Sequence, residues 1–241
     1  MNKRLEKFLK ENIFNLKWTC NACGEENFNG EYFCKSCEEK FTYILNDKCD
    51  HCGRLTNKPC LFCDSCTGKN VEFDLARSVF EYGEPISRAI KAFKYDGKKY
   101  LAEVFVSKML STFLANFSSA NIITFVPMTK AKLKLRGYNQ AELLANELSR
   151  ITKIEVKELA EKVSETKAQA TLNAKERKKN LKSSFKINKK LVKDKNIVIV
   201  DDVLTTGSTA DVLAKGFKDA GAKSVGVLTV CSVSFLNKKN C

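Results

Sequence analysis

Apolar and polar positions change period along the last two-thirds of the chain, and each change marks an element. In residues 85–93, Ile86, Ala89, Ile90 and Phe93 recur at helical spacing; in residues 101–117, Leu101, Val104, Phe105, Met109 and Phe113 do the same. Residues 122–126 are continuously apolar and stop at Pro127, which reads as a buried strand. Helical spacing returns in residues 141–151. Residues 198–200 lie in a second strand, residues 208–220 in a helix closed by Gly221 as C-cap, and residues 225–230 in a third strand. Strand, loop, helix and strand at that length form a βαβ unit, which requires a parallel sheet. The expected class is α/β, a parallel sheet flanked by helices.

Two segments depart from this alternation. Residues 1–19 predict a short amphipathic helix with Leu5, Phe8, Leu9 and Ile13 on one face. Residues 164–195 are polar, dense in lysine and poor in large apolar side chains. They read either as a solvated helix with a surface loop or as a mobile basic lid.

Cysteine changes the picture before residue 70. Of eleven cysteines, nine lie in residues 20–66, and they repeat. Residues 20–37, CNACGEENFNGEYFCKSC, align with residues 49–66, CDHCGRLTNKPCLFCDSC, at all four cysteines, at Gly24 with Gly53, Phe33 with Phe62 and Ser36 with Ser65. Two thiolates three residues apart on a tight knuckle reach one ion, and the glycine after the second permits the turn. Two knuckles complete a four-thiolate, closed, structural zinc site. The region is therefore a small zinc-ribbon-like module with one or two ions. Sequential pairing gives Cys20, Cys23, Cys34 and Cys37 for one ion and Cys49, Cys52, Cys63 and Cys66 for the other; interleaved pairing would join Cys20 and Cys23 to Cys49 and Cys52. The repeat favours the sequential form. Cys60 is the spare, unless it forms the knuckle with Cys63. His51 reads as an exposed knuckle residue rather than a ligand, and Cys231 and Cys241 as ordinary thiols. The expected organisation is a zinc-binding region at residues 1–70 and an α/β domain at residues 71–241.

Cysteine pairs without an export signal fit a reducing compartment, so a cytoplasmic protein is expected. No apolar run approaches the roughly 20 residues a membrane span needs, which argues against membrane insertion. The net charge of +14, from 42 basic and 28 acidic residues, favours polyanionic partners, although lysine is equally at home on solvated helix faces.

The sharpest chemical signal is VIVDDVLTTGSTA, residues 198–210. It lacks the lysine and glycine pattern of a Walker loop, and a single glycine does not make a dinucleotide fingerprint. Ser208 or Thr209 could simply cap a helix. Yet a loop entering a helix at the carboxyl end of a parallel strand presents backbone N–H groups and positive dipole potential. Thr205, Thr206, Ser208 and Thr209 add hydroxyls there, and Gly207 permits close approach. That is a cradle for phosphate. Asp201 and Asp202 would repel a phosphate but accept hydrogen bonds from vicinal hydroxyls. Phosphate joined to a diol is a ribose phosphate.

This segment resembles the PRPP-binding motif of type I phosphoribosyltransferases. Residues 126–145, with the core Arg136-Gly137-Tyr138-Asn139-Gln140, resemble the signature of the ComF family of competence-associated proteins, as do residues 166–185 and the helical segment at residues 80–103. The resemblance implies a type I phosphoribosyltransferase-like sheet behind a four-cysteine module. It implies Asp201 and Asp202 as ribose ligands with a catalytic part, residues 205–209 as the 5-phosphate loop, and Mg2+ with the pyrophosphate. It places a pyrophosphate loop at residues 127–132, where Lys130 and Lys132 suit a diphosphate. Arg136 would join them or bind nucleic acid. Asn139 and Gln140 read as site residues or as a helix cap. Arg177, in a flexible lid, would shield developing charge. The implied role is DNA uptake in natural transformation, with PRPP and single-stranded DNA as ligands and an uptake helicase as a partner of the zinc region. The alternative is an active phosphoribosyltransferase of nucleotide salvage, for which no acceptor-recognition set is visible.

Overall fold

The computed structural model describes residues 18–68, 70–164 and 184–234. The N-terminal helix expected in residues 1–19 lies almost wholly outside this set, as does the centre of the basic stretch with Arg177, and so does Cys241. At the centre is a five-stranded parallel sheet of β1 (Leu75–Glu81), β2 (Ile122–Phe125), β3 (Glu155–Val156), β6 (Asn196–Leu204) and β7 (Ser224–Ser232). Their order across the sheet is β1-β7-β6-β2-β3. The remaining strands, β4 (Ala160–Lys162) and β5 (Phe185–Ile187), form a separate antiparallel pair.

The inner strands are apolar on both faces because helices cover both. Val198, Val200, Leu228 and Val230 pack with α2 (Ile86–Tyr95), α3 (Leu101–Phe117) and α5 (Gln140–Thr152). Ile197, Ile199, Val225 and Val227 face the other way, against Ala210, Leu213, Ala214 and Phe217 of α6 (Ser208–Asp219). This is the alternation a strand imposes on consecutive residues.

The cysteine repeats divide between the two faces. The first, with its short helix α1 (Lys35–Glu38), buries Cys20, Ala22, Phe33 and Cys37 in the same cluster as α2 and α3. The second buries Cys49, Cys52 and Cys66 in the cluster of α6. Its docking is made partly by backbone: the Ala76 amide at the start of β1 donates to His51 O at 2.8 Å, and Arg77 Nη1 donates to Asp50 O at 2.8 Å. A Cβ on Gly53 would lie 2.3 Å from Ala76 O, so only glycine allows this approach.

Several details depart from the sequence reading, the short strands β3, β4 and β5 among them. β1 was not expected; with Arg77, Ser78 and Glu81 it lacks a continuous apolar run. β6 runs on through both acids to Leu204. The expected loop at residues 127–132 gives way at Lys130 to a helix, α4 (Lys130–Arg136), because the Thr129 side chain accepts from the Lys132 amide as N-cap. His51 is half-buried, its ring stacked on Phe73 at 5.3 Å.

Candidate functional site

The thiols group sequentially, as the repeat favoured. In each set, Cys20, Cys23, Cys34 and Cys37 or Cys49, Cys52, Cys63 and Cys66, the ligand atoms all lie within 4.8 Å of one another. A tetrahedral zinc–thiolate site requires sulfur–sulfur edges of roughly 3.8 Å. The Cys23–Cys34, Cys52–Cys63 and Cys63–Cys66 separations are 3.8, 3.6 and 3.9 Å. Amides point at the sulfurs: those of Ala22 and Cys34 at Cys20 Sγ, and those of Cys52 and Cys63 at Cys49 Sγ. Such donors favour the thiolate form. The Cys49 thiol is brought down to about 4, first by its hydrogen bond with Cys52. Each cluster can therefore hold a zinc ion. Cys60 and His51 stand outside both sets.

A second site follows from topology. From β2 the chain moves outward to β3, whereas from β6 it moves the opposite way to β7, although β2 and β6 are neighbours. The boundary between them is a topological switch point, and at such points a crevice opens outside the carboxyl ends of the strands. On one side of this crevice stand residues 126–129 leading into α4. On the other stand Asp201, Asp202 and the loop of residues 205–209.

The loop is shaped by Gly207, at φ +83°, which serves as N-cap of α6 with no side-chain cap bond. The sequence alternative, Ser208 or Thr209 as cap, is not the one adopted. The N-cap residue itself offers no side chain to the first amides of α6; a neighbouring hydroxyl takes one of them. Thr206 Oγ1 and Ser208 Oγ lie 2.9 Å apart, and the Ser208 amide donates to Thr206 Oγ1 at 3.3 Å. Thr205, Thr206 and Ser208 are exposed. A compact, solvent-facing group of hydroxyls and amides results.

The acids differ from one another. The Asp201 carboxyl is raised to about 7, by burial first and then by the charge of Asp202 beside it. Asp202 is buried and pairs with Lys94 of α2, with Nζ 2.8 Å from Oδ1. Burial opposes the charge on Lys94, but Asp202, and then Asp201, hold its ammonium above the ordinary value. Asp201 Oδ1 also accepts from the Asp202 amide at 2.9 Å. Lys94 was not singled out in the sequence; one lysine among many carries no pattern. Arg54 was missed as well: it reaches from the second cysteine module to donate from Nη2 to Thr205 O at 2.5 Å.

The other sequence candidates lie on α4 or just after it, in the segment that follows β2. Lys130 and Lys132 are exposed on α4, and Lys130 Nζ is 3.8 Å from Glu161 of β4. Arg136 donates from Nη1 to Gln140 Oε1 at 2.8 Å and lies over the Tyr95 ring at 5.0 Å. Asn139 is the N-cap of α5, accepting from the Ala141 amide at 3.0 Å, and its amide group donates to Val126 O at 3.0 Å.

The phosphoribosyl transferase domain matches residues 133–240. Competence protein F of Haemophilus influenzae is 28% identical over 229 residues, covering 90% of this chain and 96% of its own. DNA utilization protein YhgH of Escherichia coli is 31% identical over 191 residues, covering 76% and 83% respectively. Competence protein ComFC of Streptococcus pneumoniae is 29% identical over 194 residues, covering 80% and 84%. With a phosphoribosyltransferase-type parallel sheet, two four-cysteine clusters and competence and DNA utilization proteins as its relatives, the chain belongs to the ComF family.

Proposed function

We propose that this chain acts in the cytoplasm in DNA uptake during natural transformation, binding PRPP at the β6 site and single-stranded DNA on its basic surface. One observation carries the ligand: the strand bearing the acid pair leads, through a short loop with a left-handed glycine and three exposed hydroxyl side chains, into the N-terminus of α6. In this reading Asp201 and Asp202 accept hydrogen bonds from the ribose 2′- and 3′-hydroxyls. The amides and hydroxyls of residues 205–209 hold the 5-phosphate. Lys130, Lys132 and Arg136, across the crevice, meet the pyrophosphate, whose charge Mg2+ would partly neutralise. DNA binding rests on the net charge of +14, on the exposed Lys130, Lys132 and Lys134, and on the names of the relatives.

A second reading, transfer of ribose 5-phosphate to an acceptor, has an observation of its own. A cavity of about 650 Å³ between α4 and the β4–β5 pair, lined among others by Met128, Lys130, Leu133, Lys162 and Ile187, has room for an acceptor.

Calorimetry on the full zinc-loaded chain, with Mg-PRPP and separately with single-stranded DNA, tests the first reading. Saturable Mg-PRPP binding that disappears in Asp201→Asn plus Asp202→Asn is expected; no binding to the unsubstituted chain refutes the site. DNA affinity should fall steeply with salt, since phosphate contacts release counterions. Pyrophosphate release over a panel of acceptors decides for the second reading, and its absence leaves a binding role.

A further inference from the structure

We infer that Arg54 is a positioning residue of the phosphate loop, and that it makes zinc binding in the second cysteine cluster and ligand binding at β6 mutually reinforcing. The inference rests on the reading of residues 205–209 as a phosphate cradle.

Arg54 is fixed by the metal module, not by the loop. It follows the Cys52-Gly53 knuckle directly, and the Cys49 amide donates to Arg54 O at 2.9 Å, so the backbone that carries it is part of the knuckle turn. Its side chain then crosses to the α/β domain and is buried, with the residue 4% exposed. There Nη2 takes the Thr205 carbonyl, across 151 positions of sequence. The same nitrogen would lie 3.6 Å from a Cβ on Gly207, beside Leu204 Cδ1 at 3.7 Å and Phe73 Cε1 at 3.8 Å. Phe73 is in turn stacked on His51, between two ligands of the same cluster. The glycine that gives the loop its shape therefore rests on a floor made of the second zinc module and the segment that follows it.

The direction of the contact matters. In a trans peptide the carbonyl and the following N–H point opposite ways. Drawing Thr205 O toward Arg54 turns the Thr206 N–H away from the module, toward the open side of the loop. The guanidinium also puts a buried positive charge under the loop, which favours an anion above it. Neither effect needs a change in the Thr and Ser side chains.

The repeat supplies a control within the chain. The first module carries Glu25 where the second carries Arg54, after an aligned Cys-Gly pair, and Glu25 is exposed. A zinc knuckle of this type therefore does not need an arginine at that position. Only the module that touches the loop has one.

Coupling between two binding events is reciprocal. Zinc in the second cluster holds Arg54 in place and sharpens the loop for its ligand; a ligand on the loop tightens the binding of that zinc by the same factor. Hydrogen bonds from charged donors are among the stronger ones, and loss of this one should weaken Mg-PRPP binding by roughly ten- to a hundredfold.

Three measurements on the full-length, zinc-loaded chain test this. In calorimetry, Arg54→Ala weakens Mg-PRPP while zinc content stays at that of the unsubstituted protein, and Arg54→Lys recovers part of the affinity. Hydrogen exchange of the amides in residues 205–209 speeds up in Arg54→Ala. In the unsubstituted chain, an equilibrium competition titration with a chelator resolves two zinc affinities, of which saturating Mg-PRPP tightens one; in Glu25→Ala this protection persists, and in Arg54→Ala it is gone. The chelator assay on the unsubstituted chain needs no variant to fold. If the unsubstituted chain binds Mg-PRPP but Arg54→Ala binds it equally well, or if Mg-PRPP protects neither zinc, the coupling is wrong and the ligand reading stands. If the unsubstituted chain binds no Mg-PRPP, the ligand reading falls and takes this inference with it.

Discussion

Lys94→Met separates electrostatics from packing at the acid pair. The substitution keeps an unbranched apolar stem and deletes the charge. Lys94 Nζ sits 2.8 Å from Asp202 Oδ1, with the two side chains only 23% and 10% exposed. Asp201 beside it is already raised to about 7, so the pair cannot easily carry two charges without the ammonium. Removing one partner of a fully buried ion pair costs about 3–5 kcal/mol. Residual exposure of both groups brings the expected loss to about 2–3 kcal/mol at pH 8.5. The sign of the pH dependence follows from linkage. Without Lys94, whose charge holds it down, the folded-state pKa of Asp201 rises further, while the unfolded value stays near 4. Between those values the folded chain binds more protons than the unfolded one, so the variant regains stability as pH falls. The loss should shrink by at least half at pH 6. Urea unfolding followed by circular dichroism at the two pH values, with zinc present throughout, measures it. Asp202→Asn and the double variant complete a cycle, in which the double variant should recover more than half of the loss. A loss of equal size at both pH values would refute the reasoning and assign the effect to the packing of the lysine stem.

Three further outcomes follow from the same geometry. In the unsubstituted chain the raised Asp201 pKa makes stability fall as pH rises from about 4 to about 7, by at most about 4 kcal/mol; Asp201→Asn should flatten that slope, and an unchanged slope in unfolding curves at pH 5 and 8 contradicts the assignment. Gly207→Ala places a side chain at φ +83°, which costs about 1–2 kcal/mol, and should lower Tm and weaken Mg-PRPP together; unchanged affinity would separate the loop shape from the site. Stripping zinc with a strong chelator should release two ions per chain and expose buried Phe33, Phe41 and Phe73, read as a rise in hydrophobic-dye fluorescence; release without a rise would mean that the modules hold their packing without metal.

The candidate site was legible in the sequence because its parts are consecutive. Strand, acids, glycine turn and helix start follow each other in residues 196–219, so residue types at fixed offsets carry the chemistry. The cysteine clusters were legible for the same reason, since each knuckle is local and the repeat pairs the knuckles. What stayed hidden were the groups that meet this segment through tertiary structure. The reading that β6 ends where its apolar run ends failed at Asp201, because aspartate disfavours strands by propensity. Yet Thr229 of β7 stands opposite Asp201 in the parallel ladder, and pairing continues to Leu204. Lys94 pairs with the buried Asp202, and it belongs to a helix whose apolar face was read correctly but whose polar positions gave no reason to choose among lysines. Arg54 had a faint signal of its own. The two cysteine repeats match at their ligands and glycines but carry opposite charges, Glu25 and Arg54, at the next position. Two copies of one metal module differ where their surroundings differ: Glu25 faces solvent, and Arg54 faces a loop carbonyl. Position-by-position contrast within an internal repeat therefore points to contacts that spacing alone cannot reveal.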